Sequence, residues 1–282
     1  MTPPITSPHN STREFQILES LVQEQPESDS TVSTVLRQIV NLTSTALASN
    51  DGQALRDHAY HVCVAVITLA SLTPPHRQSK LVELLVELQK QVLGDRSCTN
   101  RKPFKYDGEE SLGIWEDMPT LGYTVRDAWN FNPNDPKAKP EEKAGWENKT
   151  AFIAQVMSRV PIDHSEGAKN VFDFSVYALW AMREAFEGYE QQPSDTALRA
   201  ACLWFIYTGE ALLAKVEQGA ILRDRVGFSH ERFSQKGWRG FERERVDVWK
   251  NGLVAASERL RDGDTKGLVE QALMKIGGPE AK

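Results

Sequence analysis

Four polar side chains share one stripe of a short helical segment. Tyr123, Arg126, Asp127 and Asn130 fall at i, i+3, i+4 and i+7, opposite Leu121, Val125 and Trp129 at i, i+4 and i+8. One face of such a helix packs, while the other presents a phenol, a guanidinium, a carboxylate and an amide together. The stripe is either a salt-bridged surface that braces the adjacent loops, or a pocket wall that hydrogen-bonds a carbonyl or phenolate on a ligand. On the second reading Arg126 and Tyr123 are the catalytic donors. Tyr207 and Glu210 form another pair, at i and i+3 in the apolar run 198–214. A carboxylate in such surroundings must be paired or protonated. Glu210 is then either a general acid or base, or half of a buried salt bridge to an arginine such as Arg232.

The segment Phe228-Ser229-His230-Glu231-Arg232-Phe233 places two phenylalanines at the N′ and N4 positions of a hydrophobic staple about Ser229. His230, at that helix start, either touches a ligand or faces solvent. His58 and His61 have no third ligand at useful spacing, so no metal is expected. Patterns of the GxGxxG, P-loop, HExxH and GxSxG kinds do not occur, which leaves nucleotide and serine-hydrolase readings without support and no cofactor expected. The seven tryptophans, Trp115, Trp129, Trp146, Trp180, Trp204, Trp238 and Trp249, all lie in the C-terminal two-thirds. Each buries a large apolar surface and brings one N–H that needs a partner. They form either an ordered core or an aromatic pocket. On the pocket reading Trp115, Trp129, Trp146, Asn148, Phe152, Trp204, Tyr207, His230 and Trp238 line a substrate site.

Composition narrows the partners. The chain has 282 residues, 40% hydrophobic and 26% charged, with a net charge of −6. That balance suits a globular protein and argues against nucleic acid, which needs a concentrated basic surface. Basic residues are interleaved with acids instead, as in Glu242-Arg-Glu-Arg245, a pattern of solvated helix faces. The longest apolar run, around Val62 to Ala70, is about half of the ~18 residues of a membrane span. The first residues lack the basic and apolar regions of a signal peptide. Cys63, Cys98 and Cys202 are an odd number without metal spacing, and two sit in apolar runs. A cytoplasmic, reducing setting is therefore expected, with Asn-x-Ser/Thr triplets at Asn10, Asn41 and Asn148 as chance matches. The expected partner is an apolar small molecule, not nucleic acid or membrane, with a homodimer left open.

These residues must be positioned by helices. Residues 1–12 read as a disordered tail, and 13–282 as one all-α, bundle-like domain without strands. Helices are predicted over 13–24, 32–48, from 52 to Thr73, 77–93, a short one after Pro119, then 142–159, 166–189, 195–218, 229–261 and 265–276. Ser194 and Ser229 are the expected N-caps of two of them. The segments 171–186 and 197–214 are apolar almost all round, so they are expected as two buried central helices with the N-terminal helices around them. Two long loops, 94–113 and 131–140, flank the first tryptophans. A split at the loop 94–113 into two bundles is the competing architecture.

Several segments resemble a fungal family designated only as a domain of unknown function, number 3632. They are Trp115-Glu-Asp-Met-Pro119 with Arg126-Asp-Ala-Trp129, Trp146-Glu-Asn148 with Ala151-Phe152, Ala200-Ala-Cys-Leu-Trp204 with Gly209-Glu210, and Gly227-Phe-Ser229-His-Glu-Arg232 with Trp238. The chain departs from the pattern at Phe233, where the resemblance leads one to expect tryptophan. The likeness implies an intracellular helical fold in a filamentous-fungal setting, beside natural-product biosynthesis genes. By analogy it implies a cofactor-independent cyclase or (hetero-)Diels–Alder-type catalyst acting on an apolar intermediate. The alternative is a non-catalytic helical interaction or regulatory protein whose tryptophans are core. A pocket lined by Trp129, Trp146 and Trp204 favours the first, and a solid core the second.

Overall fold

Asp51, Thr31 and Ser194 each turn a side-chain oxygen onto a backbone N–H of the helix that follows, as N-caps do. The computed structural model describes residues 11–23, 31–49, 51–92, 105–106, 110–111, 113–159, 170–188, 192–261 and 263–277. Residues 1–10 of the expected tail, most of the loop 94–113, Cys98 and the start of the helix expected at 166 lie outside them. The fold is all-α. A two-residue antiparallel hairpin, β1 (Lys105–Tyr106) with β2 (Glu110–Ser111), falls in the segment read as loop. The chain divides into two compact units between Phe131 and Asn132, not in the loop 94–113 where the alternative split was expected.

The first unit holds α1 (Arg13–Glu19), α2 (Val32–Ala48), α3 (Gly52–Leu72), α4 (Ser79–Gln89) and α5 (Pro119–Ala128). The helix predicted from 77 begins later, because Pro75–Arg77 form a separate 3-10 turn. The apolar stripes of α3 and α4, Leu55, Ala59, Val62, Val66 and Leu69 and then Leu81, Leu84, Leu85 and Leu88, are buried. A polar chain crosses this core: His58 Nδ1 lies 2.7 Å from Glu14 Oε1, its Nε2 lies 3.0 Å from Thr43 Oγ1, and Trp115 Nε1 donates to that hydroxyl at 3.2 Å. Both ring nitrogens of His58 are thus engaged in protein contacts.

The second unit holds α6 (Pro140–Arg159), α7 (Ser175–Phe186), α8 (Asp195–Glu217), α9 (Arg243–Arg259) and α10 (Asp264–Lys275). Of the two helices expected at the centre, α8 is central and packs against α6, α7, α9 and α10. The N-terminal helices expected around it belong to the first unit, and α7 begins only at Ser175, with 170–174 outside the helix. With a mean hydropathy of 1.3 over an 18-residue window, α8 is long and apolar enough to cross a membrane by length and composition, which the run-length reading missed. Its buried residues along the whole helix account for that apolarity through packing. Lys215 on α8 donates to Asp173 at 2.8 Å, and Arg199 to Glu147 at 2.9 Å.

Two of these carboxylates set an acid limit on stability. Burial opposes ionisation of Glu14, but hydrogen bonding to His58 and its own backbone, with the nearby charge of His58 and His61, outweighs it and holds the carboxyl below 4.5. Burial of Asp173 is likewise outweighed by Lys215 and Ser175, which hold it below 3.8. Carboxyls with lowered folded-state values add stability that is present above the unfolded value and lost as pH falls through the folded one. Urea midpoints are expected to drop between about pH 5 and pH 3. The drop should be shallower in Glu14→Gln and Asp173→Asn; an unchanged slope in both would refute this assignment.

Candidate functional site

The connection between α8 and α9 is the part of the second unit where sequence and structure part company. A helix was expected from Ser229; instead Glu231–Lys236 forms a 3-10 turn that ends at Gly237, with φ 68, and α9 starts only at Arg243. The staple about Ser229 does not form: Phe228 is exposed, and Phe233 stacks on Trp238 with ring centroids 5.2 Å apart. Leu222 N donates to Arg239 O at 2.9 Å and Phe241 N to Ala220 O at 3.0 Å, so the two ends of the connection pair with each other. Gly227 and Gly240 permit this closeness, because a Cβ on either would occupy the space of a backbone carbonyl, that of Arg239 or of Ala220.

Beneath the connection lies a buried ion pair that the sequence reading missed. Glu187, just past α7, and Arg245, in the first turn of α9, are both 0% exposed. Arg245 Nε and Nη2 donate to Glu187 Oε1 and Oε2 at 2.7 and 3.1 Å. Nη1 donates to the carbonyls of Gly227 and Gly240 at 2.7 and 2.9 Å, and Nη2 also to that of Phe228 at 3.2 Å. Those contacts use all five guanidinium N–H groups. Glu187 also accepts from Trp249 Nε1 at 2.7 Å and from the His230 amide at 3.0 Å. The guanidinium carbon lies 5.7 and 5.5 Å from the ring centroids of Trp238 and Trp249. A pair so fully committed has no capacity left for proton transfer; it fastens the connection to α7 and α9. The solvated face expected for Glu242-Arg-Glu-Arg245 is therefore wrong at Arg245.

A cleft of about 530 Å³ opens beside this fastening, wholly within the second unit. Phe186 from α7, Phe233 from the 3-10 turn, and Val248, Ala255 and Ala256 from α9 supply its apolar walls. Gln192 and Asn251 are its neutral polar residues, and Arg232 and Arg259 its charged ones. Gly252 lets α7 approach α9 here, since a Cβ would run into the ring of Phe186.

The sequence-predicted residues distribute as follows. Tyr123, Arg126 and Asp127 are exposed on α5 and Asn130 is exposed just past its end, with Leu121 and Val125 buried behind the helix face, and Tyr123 is 57% exposed. The stripe is thus a solvent-facing helix surface in the first unit, to which Trp115 and Trp129 also belong. Arg126→Ala is accordingly expected to change stability by no more than about 0.5 kcal/mol, as thermal melting would register. Glu210 is exposed as well, which corrects the expected buried carboxylate and its pairing with Arg232. It shares a recess of about 230 Å³ with Tyr207, Ser158 and Lys275, where burial raises the Tyr207 phenol above its usual range. Trp115, Trp146, Trp204 and Phe152 are buried core residues, whereas Trp129 and Asn148 are half-buried. His230 and Trp238 lie against the Glu187–Arg245 pair, and Trp238 Nε1 donates to Glu244 at 3.2 Å. None of the tryptophans expected in a pocket lines the 530 Å³ cleft.

Burial pushes the thiols of Cys63 and Cys202 up to about 12, which makes them poor nucleophiles. No cluster of three or more His, Cys, Asp or Glu able to hold a metal occurs among the described residues. The chemistry these elements offer is therefore donation by arginine to an oxygen beside an apolar wall.

The chain belongs to a family described as Protein of unknown function (DUF3632), which matches residues 64–253. That stretch includes Glu187, Arg245 and the cleft residues from Ala185 to Gly252, but not Arg259. No curated protein and no solved structure matches the chain.

Proposed function

We propose that this DUF3632 protein binds an apolar small molecule in the Arg232–Arg259 cleft and promotes its cyclisation, or a (hetero-)Diels–Alder-type cycloaddition, without a metal or nucleotide. The observation that carries the reading is the cleft, whose volume of about 530 Å³ lies in the range of small-molecule sites and whose walls pair apolar side chains with an equal share of polar surface. Ring closure needs little covalent chemistry from a protein. Holding two reacting ends in near-attack geometry can remove ~7–11 kcal/mol of barrier in well-oriented intramolecular cases. An arginine donor on a carbonyl where charge builds adds to that. The donor role moves from Arg126, Tyr123 and Glu210 to Arg232 and Arg259, because the latter pair lines a cleft together with apolar side chains. Fungal secondary metabolism and a cytoplasmic location are part of this proposal; the buried, unbridged Cys63 and Cys202 support a reducing compartment.

A second reading, a non-catalytic helical interaction protein, draws on the burial of Trp115, Trp146, Trp204 and Trp249 in the core. One experiment separates the two. Purified protein is incubated with apolar metabolites of its source organism, and products are compared by mass spectrometry with no protein, with wild type, and with Ala255→Trp. Ala255 is an exposed residue of the cleft wall, so the tryptophan fills the cleft and leaves the core alone. Conversion by wild type, lost in Ala255→Trp and retained after chelation, is the expected result. Retention of a metabolite without conversion supports the second reading, and conversion unaffected by Ala255→Trp overturns the cleft as the site.

A further inference from the structure

Among the described residues, the charges lining the cleft are of one sign: Arg232 and Arg259 face it from different elements, and no described Asp or Glu lines it, in a chain whose net charge is −6. The side chain of Arg232 comes from the 3-10 turn and lies 5.0 Å from the ring centroid of Phe233, so a guanidinium and an aromatic face stand together at the wall. Arg259 ends α9, where the helix dipole favours a cation. That dipole accounts for Arg259 but gives no reason for a second guanidinium on the same cleft. Both guanidiniums are solvent-exposed, and an oxyanion entering the cleft meets donors of complementary charge there. The planar forks of arginine match the oxygens of carboxylates and phosphates.

We infer that the ligand of this cleft is an apolar molecule with an oxyanion head group, a carboxylate or a phosphate. Its body lies against Phe186, Phe233 and Val248, and its head is held by Arg232 and Arg259. The inference rests on the reading of the cleft as a small-molecule site, and names the class of molecule it takes. Selectivity arises because a neutral analogue leaves both guanidiniums without the partner that the anion supplies.

Isothermal titration calorimetry with 2-naphthoate, 2-naphthyl phosphate and methyl 2-naphthoate tests it on the full chain. One or both anions are expected to bind about 10-fold or more tighter than the ester at low salt, in line with the strength of hydrogen bonds to charged groups. Added salt should narrow the gap. Arg232→Gln and Arg259→Gln should each weaken the anions by about 10-fold and the ester much less. Both arginines are exposed, so these variants should fold as wild type does, as circular dichroism would show. The ratio of naphthoate to naphthyl phosphate affinity identifies which head group the cleft takes. Ester binding as tight as that of the tighter-binding anion overturns the oxyanion assignment while leaving the small-molecule cleft intact. Absence of binding by all three, or binding that Ala255→Trp does not abolish, overturns the cleft reading and the inference with it.

Discussion

Replacing Arg245 by alanine is expected to destabilise the protein by about 3–5 kcal/mol, the range seen when one partner of a buried ion pair is removed. Truncation would leave Glu187 as an unpaired carboxylate at 0% exposure, and would strand the carbonyls of Gly227, Phe228 and Gly240. Glu187→Gln keeps the shape of the acceptor but leaves the cation without its counter-charge, and should lose stability of similar order. The double change Glu187→Leu with Arg245→Met sharpens the case. Elsewhere such a swap of a buried pair for apolar side chains can be neutral or stabilising. Here it should remain clearly destabilising, because three of Arg245's five hydrogen bonds go to backbone carbonyls and Glu187 also holds Trp249 and the His230 amide. Urea unfolding followed by tryptophan fluorescence measures all three variants. A double variant as stable as wild type would show that the network outside the ion pair contributes little.

The sequence contained a signal for this pair that its charge pattern hid. Glu242-Arg-Glu-Arg245 looks like a solvated run, yet Arg245 shares the helical stripe of Trp249, Leu253 and Ala256, all buried on α9. A cation in register with a tryptophan stripe is the reading that periodicity alone supported. Helix existence and N-caps were legible, as at Val32–Ala48 behind Thr31 and at Ser194, because spacing and caps act within a few residues. The stripe on α5 was also legible as two unlike faces. What the polar face meets depends on distant chain, and the tryptophan-lined pocket expected from it did not appear at the described cleft. The connection from Gly219 to Glu242 was illegible for the same reason. Its course is set by Gly227 and Gly240 against the carbonyls of Arg239 and Ala220 at the opposite end of the connection, and by an ion pair spanning 58 positions. Arg232 was therefore singled out as a partner of Glu210 when it lines a cleft with Arg259.

Gly240→Ala is expected to cost roughly 3–5 kcal/mol, counting about 1 kcal/mol for each hydrogen bond lost and 1–3 kcal/mol for a donor left buried and unpaired. The added methyl would occupy the position of the Ala220 carbonyl oxygen, a backbone atom that cannot swing aside. Relief requires parting residues 220–222 from 239–241. That breaks the Leu222–Arg239 and Phe241–Ala220 backbone bonds, and draws the Gly240 carbonyl from Arg245. Gly237→Ala is the matched control: Gly237 has φ 68 and open space at its missing Cβ, so the change should cost only the left-handed backbone strain of about 1–2 kcal/mol. Because Arg232 and Phe233 ride on the same connection, Gly240→Ala should also weaken 2-naphthoate binding in the molecules that remain folded, whereas Gly237→Ala should weaken it less. Gly240→Ala and Arg245→Ala combined should lose less stability than the sum of the two, since each releases the same segment. Equal losses in Gly240→Ala and Gly237→Ala would mean that the close approach at Ala220 is not what holds the connection, and additive losses with Arg245→Ala would mean that the ion pair and the glycine contact secure different parts of it.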